Sequence, residues 1–262
     1  MQPTTPEEST ASRDPHDIAV DEDEQPFLDH LIELRSRVLR SLLVVALLFI
    51  PLYYWANDLY QWIAAPLTAA LPDGSSMIAT QVATPFLTPL KLSFFAAIFV
   101  GVPYLLHQVW AFVSPGLYRH EKKFAVPLLL SSIALFYAGM AFVYFLVFPL
   151  IFAFFTQVTP DGVAMMTDIN EYLDFVLKMF LAFGIAFEIP IATMLLAWSG
   201  IASAAGMARQ RPYVIVGCFV LGMLLTPPDV ISQLLLALPT WMLFEVGVLL
   251  ARFTEQDAPA GD

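Results

Sequence analysis

Between Phe124 and Phe155 the chain runs for 32 residues without one charged side chain. An α-helix rises about 1.5 Å per residue and a bilayer core is about 30 Å thick, so about 20 apolar residues suffice to cross it. With 58% hydrophobic residues, only 13% charged residues and a mean hydropathy of +0.71 over 262 positions, an ordinary soluble domain, about a quarter charged, is excluded. The composition indicates an all-α, polytopic membrane protein. The 22 Phe argue equally against a disordered polar chain, and a lone cysteine, Cys218, excludes both an intrachain disulfide and a multi-Cys metal site.

Six runs qualify as spans: Val38 to Trp55, Leu92 to Val113, the run from Phe124 to Phe155, Leu173 to Trp198, Pro212 to Leu225 and Val230 to Ala251. Pro103 is expected to break the second, where His107 and Gln108 also lower the hydropathy. The third exceeds one perpendicular crossing, so Pro149 is expected to end its helix, with the surplus tilted or lying along the surface. Asp168 and Glu171, three apart, predict a capping box opening the fourth. The fifth, 14 residues long, joins the sixth through Thr226-Pro-Pro-Asp229, which predicts a short helix in a tight hairpin. Ahead of the first span, Phe27, Leu31, Leu34 and Val38 form an apolar stripe, which predicts an amphipathic helix on the cytoplasmic surface.

Charge sets the orientation. Arg35, Arg37 and Arg40 precede span one; Arg119, Lys122 and Lys123 lie between two and three; Arg209 and Arg211 lie between four and five; Arg252 follows six. The opposite loops, 56–90, 156–170 and 226–229, carry no Lys or Arg, and only Lys91 and Lys178 approach that side. The positive-inside rule therefore predicts two cytoplasmic termini. Eight of the 23 acids fall in the first 24 residues, so the net charge of −11 belongs largely to a tail. The expected division is an acidic disordered tail over 1–24, a six-helix unit over 25–252 and a short tail over 253–262. No cleavable leader pattern precedes span one, so the chain is expected to begin at or near Met1.

Soluble-enzyme motifs such as GxxxxGK[ST], GxGxxG, HExxH and GxSxG are missing, and His16, His30, His107 and His120 lack ligand spacing. The residues call for no enzyme activity, cofactor or metal. Attention falls on polar groups in or beside the spans. Glu33 and Arg37 stand four apart in the favourable order, a spacing that on its own favours a minor surface pair. Glu121 is the sole acid in a basic turn, either a local charge partner or a receptor for a basic ligand. Glu188 sits midway along span four beside Pro190; an intramembrane carboxylate is costly, and the proline withdraws a backbone donor next to it. Glu245 sits inside the end of span six, and Thr226, Ser232 and Gln233 cluster at the hairpin, placed to cap helices or to meet a partner's polar group.

Four motifs, His30-Leu-Ile-Glu-Leu-Arg-Ser-Arg37, Ser114-Pro-Gly-Leu-Tyr-Arg-His-Glu121, Phe183 to Pro190, and Arg211-Pro-Tyr with Thr226-Pro-Pro-Asp-Val-Ile-Ser-Gln233, occur in one order on a six-span chain. Over about residues 25 to 252 the sequence resembles the TatC family, the multispanning receptor subunit of the twin-arginine protein translocase, of proteobacterial type. The resemblance implies a bacterial inner-membrane receptor for folded cargo with twin-Arg signal peptides. It implies power from the proton-motive force, TatA-type and TatB-type single-span partners, and a homo-oligomeric receptor complex. It also implies that Glu33 and Glu121 engage the two arginines, with Arg35 and Phe112 shaping the patch, and that Glu188 and the group Met223, Thr226 and Gln233 meet partner helices. A carboxylate fork suits a guanidinium, so two arginines require two acids. The rival reading is a proton-coupled transporter of a small solute with Glu188 as proton carrier; it calls for matching halves, and no inverted repeat is visible.

Overall fold

A computed structural model describes residues 15–70, 76–117, 125–160, 163, 166–226 and 229–256. Among them all regular structure is helical except one isolated parallel bridge between Ile78 and Asp168. The first helix, α1 (Pro15–Tyr54), is a single piece of 40 residues. The amphipathic segment expected on the membrane surface is thus no separate element: no Gly or Pro occurs between Phe27 and Ile50 to break the helix, so it runs directly into the first span. The helix begins at Pro15, within the acidic segment.

The connection between the first two spans, expected to be loop, contains α2 (Ala56–Thr68), which buries Ala56, Ile63, Ala64 and Leu67 while Asn57, Asp58 and Gln61 interrupt its hydropathy. Helix α3 (Thr84–Leu117) continues through Pro103 without the expected break. The third span is one rod made of α4 (Ala125–Phe142), a π-helical turn (Val143–Val147) and α5 (Phe148–Val158). Pro149 therefore does not end a helix. It occupies the first turn after the π segment, where the bonding pattern is already shifted and its missing N–H is tolerated.

Asp168 caps α6 (Ile169–Ala186) as expected, its Oδ1 accepting from the amides of Asn170 (2.8 Å) and Glu171 (3.2 Å). The fourth span is interrupted at Phe187 and Glu188 and resumes as α7 (Ile189–Trp198). There the Glu188 amide bonds the Ile185 carbonyl at 3.0 Å, three residues back, and Pro190 has no donor for Ala186, so the expected local irregularity is present. Gly200, at φ +73°, ends α7 in the left-handed conformation. After α8 (Ala204–Arg209), the short α9 (Arg211–Leu225) and α10 (Val230–Gln256) form the hairpin.

Among the described residues six apolar rods are present: α1, α3, α4 with α5, α6 with α7, α9 and α10; five are long and apolar enough to cross a membrane and α9 is the short one. Helix α6 forms the centre, with Leu173, Val176, Met179, Phe180 and Phe183 buried alongside Phe148 and Ile151 of α5. Small residues allow this proximity: a Cβ placed on Gly139 of α4 would lie 2.6 Å from the Phe183 carbonyl oxygen.

The connections at the end of the bundle opposite the Glu33 turn are tied to each other. The Ile78 amide donates to the Thr167 carbonyl (3.0 Å), and the Ile169 amide to the Ile78 carbonyl (2.9 Å). Thr80 donates its hydroxyl and amide to Asp168 Oδ2 at 2.5 and 2.9 Å, and these bonds, the hydroxyl first, hold the Asp168 carboxyl down at about 2. Lys91, one of the two cations near this side, bonds Asp174 and Asn170 of α6 through Nζ at 2.5 and 2.9 Å, so its charge is matched locally.

Candidate functional site

The segment carrying Glu33 and Arg37 folds as one helical turn of α1, which brings the two side chains together. Arg37 donates from Nε (3.0 Å) and Nη2 (2.5 Å) to one carboxylate oxygen, Oε1, of Glu33. Its third nitrogen, Nη1, reaches the buried Gln108 of α3, donating to Oε1 at 3.3 Å. This contact and the weaker one from the Ser93 hydroxyl to the Leu52 carbonyl (3.4 Å) set an antiparallel register between α1 and α3 that brings Phe112 level with Glu33. A largely apolar groove of about 330 Å³ separates the two helices; Leu34, Val38, Leu42, Phe94, Leu105 and Phe112 line it, and Arg37 and Gln108 bring polar groups to it. Arg35 is exposed on the same turn of α1. The fourth expected residue, Glu121, lies outside the described residues, beyond the end of α3.

Glu188 occupies the junction between α6 and α7, half-buried. The Ser132 hydroxyl of α4 stands beside its carboxyl, and Ser132 in turn accepts from Trp110 Nε1 of α3 at 3.2 Å. Carboxyl, hydroxyl and indole thereby link three spans. The carboxyl oxygen Oε1 is buried without a hydrogen-bond partner among the described residues. Sequence reasoning singled out Glu188 but not Ser132 or Trp110; the signal for them was a hydroxyl and an indole N–H in otherwise apolar runs, which only a contact can connect.

The hairpin residues form a second location. Met223 is exposed, whereas Thr226 is buried, its hydroxyl donating to the Gly222 carbonyl at 2.8 Å. Gln233 Nε2 donates to the Phe219 carbonyl at 2.9 Å, so both polar side chains satisfy the backbone of α9. Asp229 Oδ1 accepts from the Ser232 amide at 2.7 Å and caps α10. Glu245 makes a two-pronged pair with Arg211, whose Nε and Nη2 donate to Oε1 and Oε2 at 2.7 and 2.6 Å, pinning the start of α9 to α10.

A family model described as Sec-independent protein translocase protein (TatC) matches residues 29–239. The chain belongs to the TatC family. The TatC of Azotobacter chroococcum is 59% identical over 238 residues, which covers 90% of this chain and 93% of that one. The TatC of Escherichia coli K12 is 55% identical over 232 residues, or 88% of this chain and 90% of its own. The fold agrees as well: a crystal structure described as the twin arginine translocase receptor TatC superposes with a TM-score of 0.80 at 35% identity, covering 86% of this chain and 99% of the other. As a TatC-family member with these apolar helices, the chain is a multi-pass protein of the bacterial cytoplasmic membrane. The matched TatC region contains Glu33, Arg37, Gln108, Glu188 and the α9–α10 turn, and it ends before Glu245.

Proposed function

We propose that this TatC-family chain is the receptor subunit of a twin-arginine translocase, binding the signal peptides of folded cargo on its cytoplasmic face, with both termini on that face. Glu33 and Glu121 accept the paired arginines, while Arg35 and Phe112 border the binding patch. The observation that supports this reading best is that Glu33 already holds a guanidinium, that of Arg37, beside a groove bordered by Phe112. A carboxylate so placed has the acceptor geometry that arginine requires, and the neighbouring groove suits apolar residues. In this reading Glu188, with Met223, Thr226 and Gln233, receives TatA-type and TatB-type single-span partners within a homo-oligomeric complex, and the proton-motive force drives transport. Family membership favours this function over transport of a small solute.

Binding of a labelled twin-Arg signal peptide to the protein in nanodiscs tests the assignment. Glu33→Ala and Glu121→Ala are each expected to weaken binding about tenfold or more, since a charged hydrogen bond contributes about 1.5–3 kcal/mol, and Glu33→Lys should be worse than Ala. Unchanged affinity in the double Ala variant at normal membrane levels would overturn it.

A further inference from the structure

We propose that Arg37 is a resident competitor for the Glu33 carboxylate and thereby sets how tightly that carboxylate takes an incoming cation. The inference rests on the function proposed above, in which Glu33 receives one arginine of the signal. In the structure that carboxylate is occupied. Two of the three guanidinium nitrogens of Arg37 converge on Oε1 of Glu33, and the third is anchored to Gln108, whose side chain is buried between α1 and α3. Arg37 is the more enclosed of the pair: its side chain is 20% exposed against 37% for Glu33. The carboxylate thus presents itself toward solvent while its internal cation is held from behind.

An incoming cation must therefore exchange with a guanidinium or share the carboxylate with it. A lysine ammonium offers a compact point charge and no planar fork, so it competes poorly for an oxygen that already takes two N–H donors. An arginine that exchanges with Arg37 forms equivalent bonds, and a second arginine at another acid adds the surplus that a lone cation lacks. On this account Arg37 lowers affinity for every basic ligand by the same factor, and a ligand overcomes it through surplus binding elsewhere, such as a second cation at another acid.

The test compares peptides carrying an Arg pair and a Lys pair on the wild-type protein in nanodiscs and on the variants Arg37→Gln, Glu33→Gln and the double variant. Arg37→Gln is expected to bind the Arg-pair peptide about two- to fivefold more tightly, the range that a partly exposed ion pair commands, and to tighten the Lys-pair peptide by a similar factor. In the Glu33→Gln background the same change is expected to give no gain. Equal or weaker binding of both peptides by Arg37→Gln would overturn the competitor role and make Arg37 a group that merely orients Glu33. If Glu33→Gln leaves affinity untouched, the function assigned to Glu33 fails first, so the two failures are distinguishable. Should Arg37→Gln not accumulate, Gln108→Leu releases the guanidinium from α3 while keeping its charge; a smaller gain in affinity supports the role, and no gain overturns it.

Discussion

The spanning stretch of α1, Leu31–Tyr54, and the α6–α7 pair are almost equally apolar, with mean hydropathies of 1.7 and 2.0 in their most apolar 18 residues, yet 6% of that stretch is buried in the first against 44% in the second. Helix α6 is enclosed by α3, α4 and α5, and its aromatic side chains fill the centre of the bundle. Helix α1 stands at the edge, packed on α3, with Leu39, Leu43, Leu47 and Ile50 turned outward. Hydropathy thus reports that a segment prefers lipid or protein to water, and it does not distinguish the two surroundings. Where the apolar face meets lipid, a few polar contacts such as Arg37 to Gln108 fix position; where it meets protein, shape does.

The contrast is broken most easily by paired truncations. Phe183→Ala, at a side chain with no exposure, is expected to destabilise by about 3–5 kcal/mol and to lower the thermal midpoint in detergent sharply. Leu43→Ala, at a side chain 67% exposed, should stay within about 0.5 kcal/mol of the parent protein. Similar losses at both positions would mean that α1 is buried against a further surface in the membrane.

A smaller effect concerns the polar group inside the well-packed half. Export of a folded twin-Arg cargo is expected to survive Glu188→Gln better than Glu188→Leu, because Gln keeps hydrogen-bonding capacity toward Ser132 and toward a partner, and such bonds contribute about 1–2 kcal/mol between model membrane helices. If both substitutions abolish export while crosslinking of single-span partners to position 188 persists, a titratable group is required and the contact role is wrong.

The smallest effect lies at the tie between Thr80 and Asp168. The Asp168 carboxyl is held at about 2, below its ordinary 3.8, so its contribution is fully present above the ordinary value and is lost as pH falls through about 2. The distance between spin labels at positions 76 and 166 is expected to stay constant from pH 8 to 5 and to broaden only on further acidification. Asp168→Asn should remove that acid dependence, and a transition near neutral pH would assign the tie to another group.

Much of the fold was legible because lipid imposes length and backbone satisfaction: Val230 to Ala251 and the capped start at Asp168 needed no tertiary knowledge. The two proline errors share one cause. Pro103 and Pro149 were weighed as isolated breakers, whereas a long membrane helix absorbs a missing donor locally, in the second case next to a π turn. Helix α2 escaped because Asn57, Asp58 and Gln61 dilute a run whose buried face is read only against α3 and α5. At the site, Glu33 and Phe112 were singled out far apart in sequence, and the register of α1 on α3 sets them level. That Gln108 anchors Arg37, that Ser132 adjoins Glu188, and that Arg211 grips Glu245 are contacts between distant residues with no local pattern to announce them.

The π turn at Val143–Val147 also changes the angular bookkeeping of the third rod. An α-helix advances about 100° per residue, and a wider turn holds back that advance. Every side chain from Phe148 onward is therefore rotated relative to where an unbroken helix would aim it. Phe148, Ile151 and Phe152 come to face the core in that phase. Winding the same five residues as ordinary α-helix, although it leaves composition and length untouched, would carry the rod about a quarter turn further and swing these three side chains away from α6, whereas removing one residue lets the turn close as α-helix with their aim nearly kept. The far half of the rod thus depends on matching residue count to the width of the turn as closely as on residue type.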